Sequence, residues 1–253
     1  MLDRWQWLAR RLPRTRNEER LIDVGCGTGA FSIGAARRGY HALGLSWDER
    51  NQTVARVRAG LSRAPNAVFE ILDVRKLHTR VDLWNQFDIA ICLETIEHVL
   101  DDKKLLADIT NCLKPGGRLL LTTPNYYYRA ITPEDNGPFP KEETGWHVRR
   151  GYTPAMLLEL VGGSGLICQE VSYCSGFLSQ KVTWLIRRLS SLHWLSAWLI
   201  SFPLRILPLL FDGWVTPLLS WPRFSICIEA YKPRFTEPAP TVNSVPSTTG
   251  AKA

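Results

Sequence analysis

The residues best suited to bind a ligand lie in the stretch 21–29, which reads Leu-Ile-Asp-Val-Gly-Cys-Gly-Thr-Gly. A short apolar run is typical of a buried parallel strand. Glycines at every second position permit a tight turn and let backbone amides approach a ligand closely. Residues 30–38 then have small and apolar side chains at helical spacing and end before Gly39, a helix stop. The pattern predicts a strand, a glycine loop and a helix, with the ligand at the N-terminus of that helix.

The glycine spacing and two later segments carry a family resemblance. A dinucleotide site has G-x-G-x-x-G, whereas this loop has G-x-G-x-G after an acid, which resembles motif I of class I S-adenosylmethionine (SAM) methyltransferases. Residues 93–99 (Leu-Glu-Thr-Ile-Glu-His-Val) are similar to Met-Glu-x-x-Glu-His-Val of the ubiquinone-biosynthesis O-methyltransferases. Residues 113–118 read Leu-Lys-Pro-Gly-Gly-Arg, another hallmark of the family. The resemblance covers about residues 18–175.

The resemblance implies an α/β fold with SAM as cofactor: a Rossmann-like, seven-stranded, mostly parallel sheet with helices on both faces. We also expect a helical apolar insertion before the last strand, and a turn at 114–117 that leads into a fifth strand at 118–122. The expected organisation is an N-terminal basic helix at 1–20, a SAM-binding core at 21–176, a lid or membrane-surface insertion at 177–223, the last strand at 224–235 and a disordered tail at 236–253. The N-terminal helix has two interpretations, a cap on the cofactor pocket or a membrane-surface helix.

The ribose site is expected after the second strand. A carboxylate usually binds the ribose there, but two positions after Gly44 this chain has Ser46. The string Gly-Leu-Ser-Trp-Asp-x-x-Asn resembles Gly-Leu-Thr-Leu-Ser-x-x-Gln of cyclopropane-synthase-like methyltransferases. That resemblance implies that Ser46 and Asn51 hold the ribose and that Trp47 packs beside the adenine. Asp48 is the rival ribose ligand, and its alternative role is a helix N-cap.

The adenine site is expected after the third strand, where Asp73 and the amide of Val74 can bind the edge of the base. The alternative for Asp73 is a solvent-facing turn residue. Leu93, after the fourth strand, takes the cofactor-contacting position of the family. The residues assigned to the cofactor are therefore Asp23, Gly25, Cys26, Gly27, Gly29, Ser46, Trp47, Asn51, Asp73, Val74 and Leu93.

Two histidines are the candidates for a base that removes a proton from a hydroxyl acceptor. His98 follows the fourth strand. His147 lies in the loop 126–150, where the related quinone enzymes also have a histidine. Each has a structural, hydrogen-bonding role as its alternative. None of the six cysteines forms a CxxC pair and no ligand cluster is evident along the chain, so no metal site is predicted.

The net charge of +7 is concentrated in the two flanks of the chain. Residues 1–20 hold six arginines against three acids, and residues 177–234 hold seven basic residues against two acids, while 21–176 has 17 basic and 18 acidic residues. Basic flanks suit an anionic partner such as a phospholipid surface or nucleic acid, and solubility alone is the other interpretation. The Pro-Pro-Tyr-type motif of nucleobase methyltransferases is missing after the fourth strand, so no nucleic-acid partner is predicted.

The segment 177–221 carries five of the ten tryptophans, and its longest uncharged run has 16 residues, fewer than the roughly 20 that span a bilayer. An interfacial helix or a lid fits this pattern, and so does an insertion packed on the sheet. Scattered cysteines and a charged N-terminus favour a cytoplasmic protein, peripheral to the inner face of the membrane if the segment binds lipid.

We therefore expect methyl transfer from SAM to the hydroxyl of a small, amphipathic acceptor such as a quinone, a lipid or a lipid-linked sugar. Most of the catalysis in such a reaction is alignment, because the sulfonium already activates the methyl group. Two alternatives remain open: methylation of carbon in a lipid, and a non-catalytic SAM-binding partner of another protein.

Overall fold

The computed structural model describes residues 2–191 and 193–234, and within these ranges seven strands form one sheet. Their spatial order is β3-β2-β1-β4-β5-β7-β6. The first five strands run parallel, and β7 lies antiparallel between β5 and β6. The predicted fold class is thereby confirmed. The strands are β1 (Arg20–Val24), β2 (His41–Ser46), β3 (Ala67–Ile71), β4 (Phe87–Leu93), β5 (Leu113–Pro124), β6 (Ile167–Cys174) and β7 (Ser225–Tyr231).

Helices cover both faces of the sheet, as parallel strands with crossover connections require. On one face α4 and α5 pack with Ile22 and Val24 of β1, and on the other α1, α2 and α3 pack with Leu21. This alternation along β1 follows from the two-residue period of a strand. The helices are α1 (Leu2–Arg11), α2 (Ala30–Ala36), α3 (Glu49–Leu61), α4 (Asp102–Cys112), α5 (Pro154–Gly163), α6 (Phe177–Ser190), α7 (Trp194–Leu204) and α8 (Leu207–Leu218).

The turn predicted at 114–117 is wrong, because these residues belong to β5. The Gly116 amide donates to the Lys232 carbonyl at 2.7 Å, and the Lys232 amide donates to the Gly117 carbonyl at 2.8 Å. Hydrogen bonding at the end of β7 therefore continues through the two glycines. The register between β4 and β5 shifts in this region, and Gly116, at φ +82°, forms part of the resulting bulge.

Helix α1 ends at Arg11, so the basic helix is shorter than the predicted span of 1–20. Trp7 and Leu8 are buried, and the Trp7 indole donates to the Ser172 hydroxyl of β6 at 3.0 Å. This apolar face packs on the sheet, so Trp7 and Leu8 are not available to a membrane surface.

Along the chain, helices α6, α7 and α8 connect β6 to β7, where the apolar insertion is predicted. The Asp212 carboxylate on α8 accepts from the Leu178 and Ser179 amides, which fastens the N-terminus of α6 to α8. Throughout the described ranges, no helix has both the length and the apolar character needed to cross a membrane. The predicted tail at 236–253 lies outside the described residues.

Candidate active site

The glycine loop follows β1, with φ of +86° at Gly25, +51° at Gly27 and +73° at Gly29. A side chain at Gly25 would collide with Thr95, and one at Gly29 would collide with Phe69. These two glycines are therefore required by packing inside the protein. A Cβ at Gly27 would meet nothing within 4 Å, so this position alone faces open space, which is the space that a bound cofactor needs.

Asp23 and Cys26 belong to the interior of the loop. The buried Asp23 carboxylate accepts from the Ser32 hydroxyl at 2.6 Å, which ties β1 to the first turn of α2. Burial raises the pKa of Asp23 to about 7. The Cys26 thiol packs beside Gly44 and Phe69, and burial raises its pKa far above the ordinary value. Because the Cys26 thiol is protonated and buried, only the backbone of Cys26 can contact a ligand.

The residues proposed for the ribose lie where β2 meets α3. Ser46 is buried at the strand end, whereas Trp47 is 62% exposed. The Asp48 carboxylate accepts from the Arg50 amide at 2.8 Å and from the Asn51 amide at 3.2 Å, which makes Asp48 the N-cap of α3. Of the two roles open for Asp48, the structure confirms the N-cap. The Asn51 side chain donates to the other Asp48 oxygen at 3.2 Å.

Gln52, which sequence reasoning did not single out, is a buried polar residue beside the glycine loop. It is fully buried, and its amide nitrogen donates to the Glu70 carbonyl at 2.9 Å and contacts the Cys26 sulfur at 3.5 Å. Its oxygen has no hydrogen-bond partner in the structure. Gln52 lies three residues before Ala55 on the buried face of α3, and a polar residue on an apolar helical stripe was the available signal.

Asp73 follows β3 and is held by Arg75. Its carboxylate accepts from the Arg75 amide at 3.0 Å and forms a two-nitrogen contact with the Arg75 guanidinium. This contact holds the pKa of Asp73 below its usual range. The guanidinium also reaches Glu143 in the loop 126–150, at 2.6 Å. Val74, just after β3, and Leu93, the last residue of β4, are both buried.

The end of β4 carries a partly buried polar cluster around Glu94, whose φ is +52°. Its carboxylate accepts from the Thr122 hydroxyl at 2.9 Å, from the Ser225 hydroxyl at 3.0 Å and from the Arg4 guanidinium at 2.8 Å. The ion pair with Arg4 joins the N-terminal helix to the strand end. No periodicity signals this long-range contact, so sequence reasoning missed it.

The Glu97 carboxylate is fully buried between the two candidate bases. One of its oxygens accepts from the Thr123 hydroxyl at 3.0 Å, and the other has no hydrogen-bond partner. That unpartnered oxygen lies 4.0 Å from Nε2 of His98 and 4.0 Å from Nε2 of His147. Burial, and then the charge of Glu94, raise the pKa of Glu97 well above its usual range.

Both histidines are held in the neutral form. Burial lowers the pKa of His98. Burial, and then the charge of His98, lower the pKa of His147. A neutral imidazole can accept a proton or bind a metal ion through a ring nitrogen. Although no ligand cluster is evident from the sequence, one ligand atom from each of Glu97, His98 and His147 lies within 4.8 Å of the others.

The loop 126–150 is fastened over this edge of the sheet. Besides the contact from Arg75, Arg149 pairs with Asp102 of α4, and the Val148 amide donates to the Glu97 carbonyl at 3.0 Å. Arg187 of α6 pairs with Asp135 at 2.9 Å, which ties the loop to the helical insertion. These contacts fix the position of His147.

Comparison with known proteins identifies a matching family model and related sequences. Residues 4–166 match a family model described as a methyltransferase domain. A ubiquinone biosynthesis O-methyltransferase of Aeromonas salmonicida is 29% identical over 159 residues, which are 61% of this chain and 65% of that protein. The chain thus covers less than two thirds of the length of this relative.

Two solved structures share the fold. The [4+2]-cyclase SpnF has a TM-score of 0.62 at 21% identity, over 92% of this chain and 82% of its own. Phosphoethanolamine N-methyltransferase 2 of Haemonchus contortus, solved with SAM, has a TM-score of 0.59 at 19% identity, over 89% of this chain and 51% of its own. At these identities the likeness concerns the fold.

Proposed function

The chain belongs to the methyltransferase-domain family of SAM-dependent enzymes, and on that premise we propose that it transfers the methyl group of SAM to a hydroxyl of a small, amphipathic acceptor. The observation that carries the proposal is the position of the segment 94–98 beside the glycine loop. Thr95 packs against Gly25, and Glu97 follows Thr95 by two residues. Nε2 of each histidine lies 4.0 Å from a Glu97 oxygen. Side chains that can accept or donate a proton thus lie next to the proposed binding site of the methyl donor.

The site fits SAM, because the open position at Gly27 and the ends of β1 to β4 form one continuous edge. SAM supplies an electrophilic methyl on a positively charged sulfur. The loop amides would hold the methionine portion, Ser46 and Asn51 the ribose hydroxyls, and Asp73 with the Val74 amide the adenine. Cys26, Trp47 and Leu93 would contribute contact surface, and Asp23 would position the loop through Ser32.

His147 is the proposed base, with His98 as the alternative. His147 is 36% exposed, and its lowered pKa keeps its ring free to accept the hydroxyl proton at neutral pH. It also belongs to the fastened loop, which would close over the acceptor. His98 lies beside the buried Glu97, and its ring packs edge to face on His147. This contact suits a role for His98 in positioning the ring of His147.

A divalent cation is a second way to activate the acceptor, and the unpartnered Glu97 oxygen favours it. Glu97, His98 and His147 offer the mixed oxygen and nitrogen donors that such ions accept, and a bound cation would lower the pKa of a coordinated hydroxyl. Titration calorimetry with Mn²⁺ or Zn²⁺ tests the site. Wild type should bind and Glu97→Gln should not, while Glu159→Gln on the exposed face of α5 should behave as wild type. Absence of binding to wild type would leave His147 as an unassisted base.

The amphipathic acceptor and a peripheral membrane location are proposed from the insertion. Large apolar side chains are exposed along α7 and α8, among them Leu199, Phe202, Leu210, Trp214 and Leu218. A contiguous exposed apolar surface marks an interaction site for lipid or protein.

The experiment is incubation of the purified protein with SAM and a cell lipid extract, followed by measurement of S-adenosylhomocysteine. We expect accumulation with wild type, and a loss of at least tenfold with His147→Ala at unchanged SAM affinity. Accumulation without any methylated hydroxyl, but with a new carbon-methyl product, would favour the carbon-methylation alternative. SAM binding without turnover would favour the non-catalytic alternative.

A further inference from the structure

A cavity of about 960 Å³ lies between α1 and α2 on one side and the insertion helices on the other. It is within the size range of small-molecule sites, about 300–1,000 Å³. None of the three loop glycines lines it, but Ala30 and Phe31, which directly follow Gly29, do. Its lining includes Arg4, which pairs with Glu94 at the end of β4. Arg4 therefore connects the cavity to the strand end that carries the proposed site of methyl transfer.

The charge of the lining is almost entirely of one sign. Seven arginines and a single carboxylate, Asp3, line the cavity. Arg4 forms an ion pair with Glu94, and Arg187 forms one with Asp135. Arg38 donates to backbone carbonyls at the end of α1 and just after it. Among residues 2–191 and 193–234, the other four form no ion pair: Arg14, Arg37, Arg58 and Arg205. An excess of uncompensated guanidinium groups around one cavity is complementary to an oxyanion.

The insertion contributes an apolar wall. Val182 and Ile186 of α6 face the cavity together with Phe202 and Ile206 of the α7–α8 region. On the opposite side, Trp5 of α1 stacks on Phe31 of α2 with centroids 6.5 Å apart. Arginines and an apolar wall thus line one cavity that is partly open to solvent, an arrangement that suits a molecule with an anionic group and a hydrocarbon chain.

We infer that this cavity binds the acceptor as a single anionic amphiphile, with a phosphate-type group among Arg37, Arg58 and Arg205 and a hydrocarbon chain along Val182, Ile186 and Phe202. The inference rests on the proposed function for the identity of the ligand as acceptor, but the binding itself does not require methyl transfer. It narrows the acceptor from any amphipathic molecule to one that carries a negative group.

Calorimetry with farnesyl phosphate, farnesol and inorganic phosphate, each below its aggregation concentration and without SAM, tests the inference. We expect farnesyl phosphate to bind wild type at least tenfold more tightly than either of the other two. Arg37→Gln/Arg205→Gln should weaken farnesyl phosphate at least tenfold, and Ile186→Asp should weaken it while SAM affinity stays unchanged. Arg16→Gln/Arg188→Gln removes two exposed arginines outside the cavity and should have no effect.

Equal affinity for farnesol and farnesyl phosphate would overturn the role of the arginines. Binding of anionic vesicles without binding of monomeric farnesyl phosphate would overturn the cavity as a binding site and make this face a membrane contact. Turnover with a lipid extract but no binding of farnesyl phosphate would refute the inference and leave the proposed function standing. Binding of farnesyl phosphate by a protein that shows no turnover would support the cavity and refute the proposed function.

Discussion

The imidazole rings of His98 and His147 meet edge to face with their centroids 4.6 Å apart, although one follows β4 and the other lies in the loop 126–150. The contact closes the loop onto the strand end and brings both rings to the same Glu97 oxygen. The candidate base is therefore assembled by tertiary structure, and its position depends on the contacts that fasten the loop.

Gly27→Val should lower SAM affinity at least a hundredfold, because the side chain would enter the only open position of the loop and φ of +51° is unfavourable for a β-branched residue. Gly60→Val is the matched control, since a Cβ at that position of α3 also meets nothing within 4 Å. Titration calorimetry on the folded proteins measures both. Unchanged affinity in Gly27→Val would reject this loop as the cofactor site.

Ser46→Ala/Asn51→Ala should weaken SAM binding, since two hydrogen bonds to uncharged groups are worth about 0.5–1.5 kcal/mol each. Asp48→Ala should instead lower the free energy of unfolding by about 1 kcal/mol, because the N-cap of α3 is lost, with little change in SAM affinity. Calorimetry and urea denaturation separate the two effects. If Asp48→Ala weakens SAM more than the double variant does, the carboxylate is the ribose ligand.

Asp23 should make the protein less stable as pH rises from about 4 to about 7. Burial raises the pKa of the folded-state carboxyl to about 7, whereas the unfolded chain loses this proton near its ordinary pKa of about 3.9. Stabilisation is thus complete below the unfolded pKa and is lost as pH rises towards the folded pKa, by at most about 1.4 kcal/mol per pH unit.

Urea denaturation across this pH range checks the effect. Asp23→Asn should flatten the decline in the free energy of unfolding, while Asp82→Asn at an exposed position should not. An identical decline in wild type and Asp23→Asn would show that Asp23 ionises normally.

The parts of the protein that could be predicted from sequence are those with local signals. The glycine loop predicts β1 before it and α2 after it. Thr153 followed by Pro154 predicts the start of α5, and Thr153 is the observed N-cap. The pairing of Gly116 with Lys232 could not be predicted, because the partner strand lies more than a hundred residues away. A separation of 90 residues likewise hid the ion pair of Arg4 with Glu94. Tertiary packing decides such contacts, and no period in the sequence encodes them.

Leu210→Ser/Trp214→Ser should reduce binding to anionic vesicles several-fold, because these side chains are 66% and 70% exposed on α8 and tryptophan favours the interface. Val54→Ser/Val57→Ser removes exposed apolar side chains from α3 and serves as the control. Vesicle flotation at low and high salt measures the effect. Arg187→Gln is unsuitable for this test, since Arg187 also holds Asp135 of the loop. If wild type fails to float at low salt, the insertion is a packed lid.

Transfer of an isotope-labelled methyl group from SAM to a component of a lipid extract, followed by mass spectrometry, tests the central claim most directly. A cyclase shares this fold, so the transferred methyl itself must be observed. The account predicts a labelled, oxygen-methylated product with wild type, none with Gly27→Val and at least tenfold less with His147→Ala. A folded wild-type protein that binds SAM and labels no molecule in the extract would contradict it.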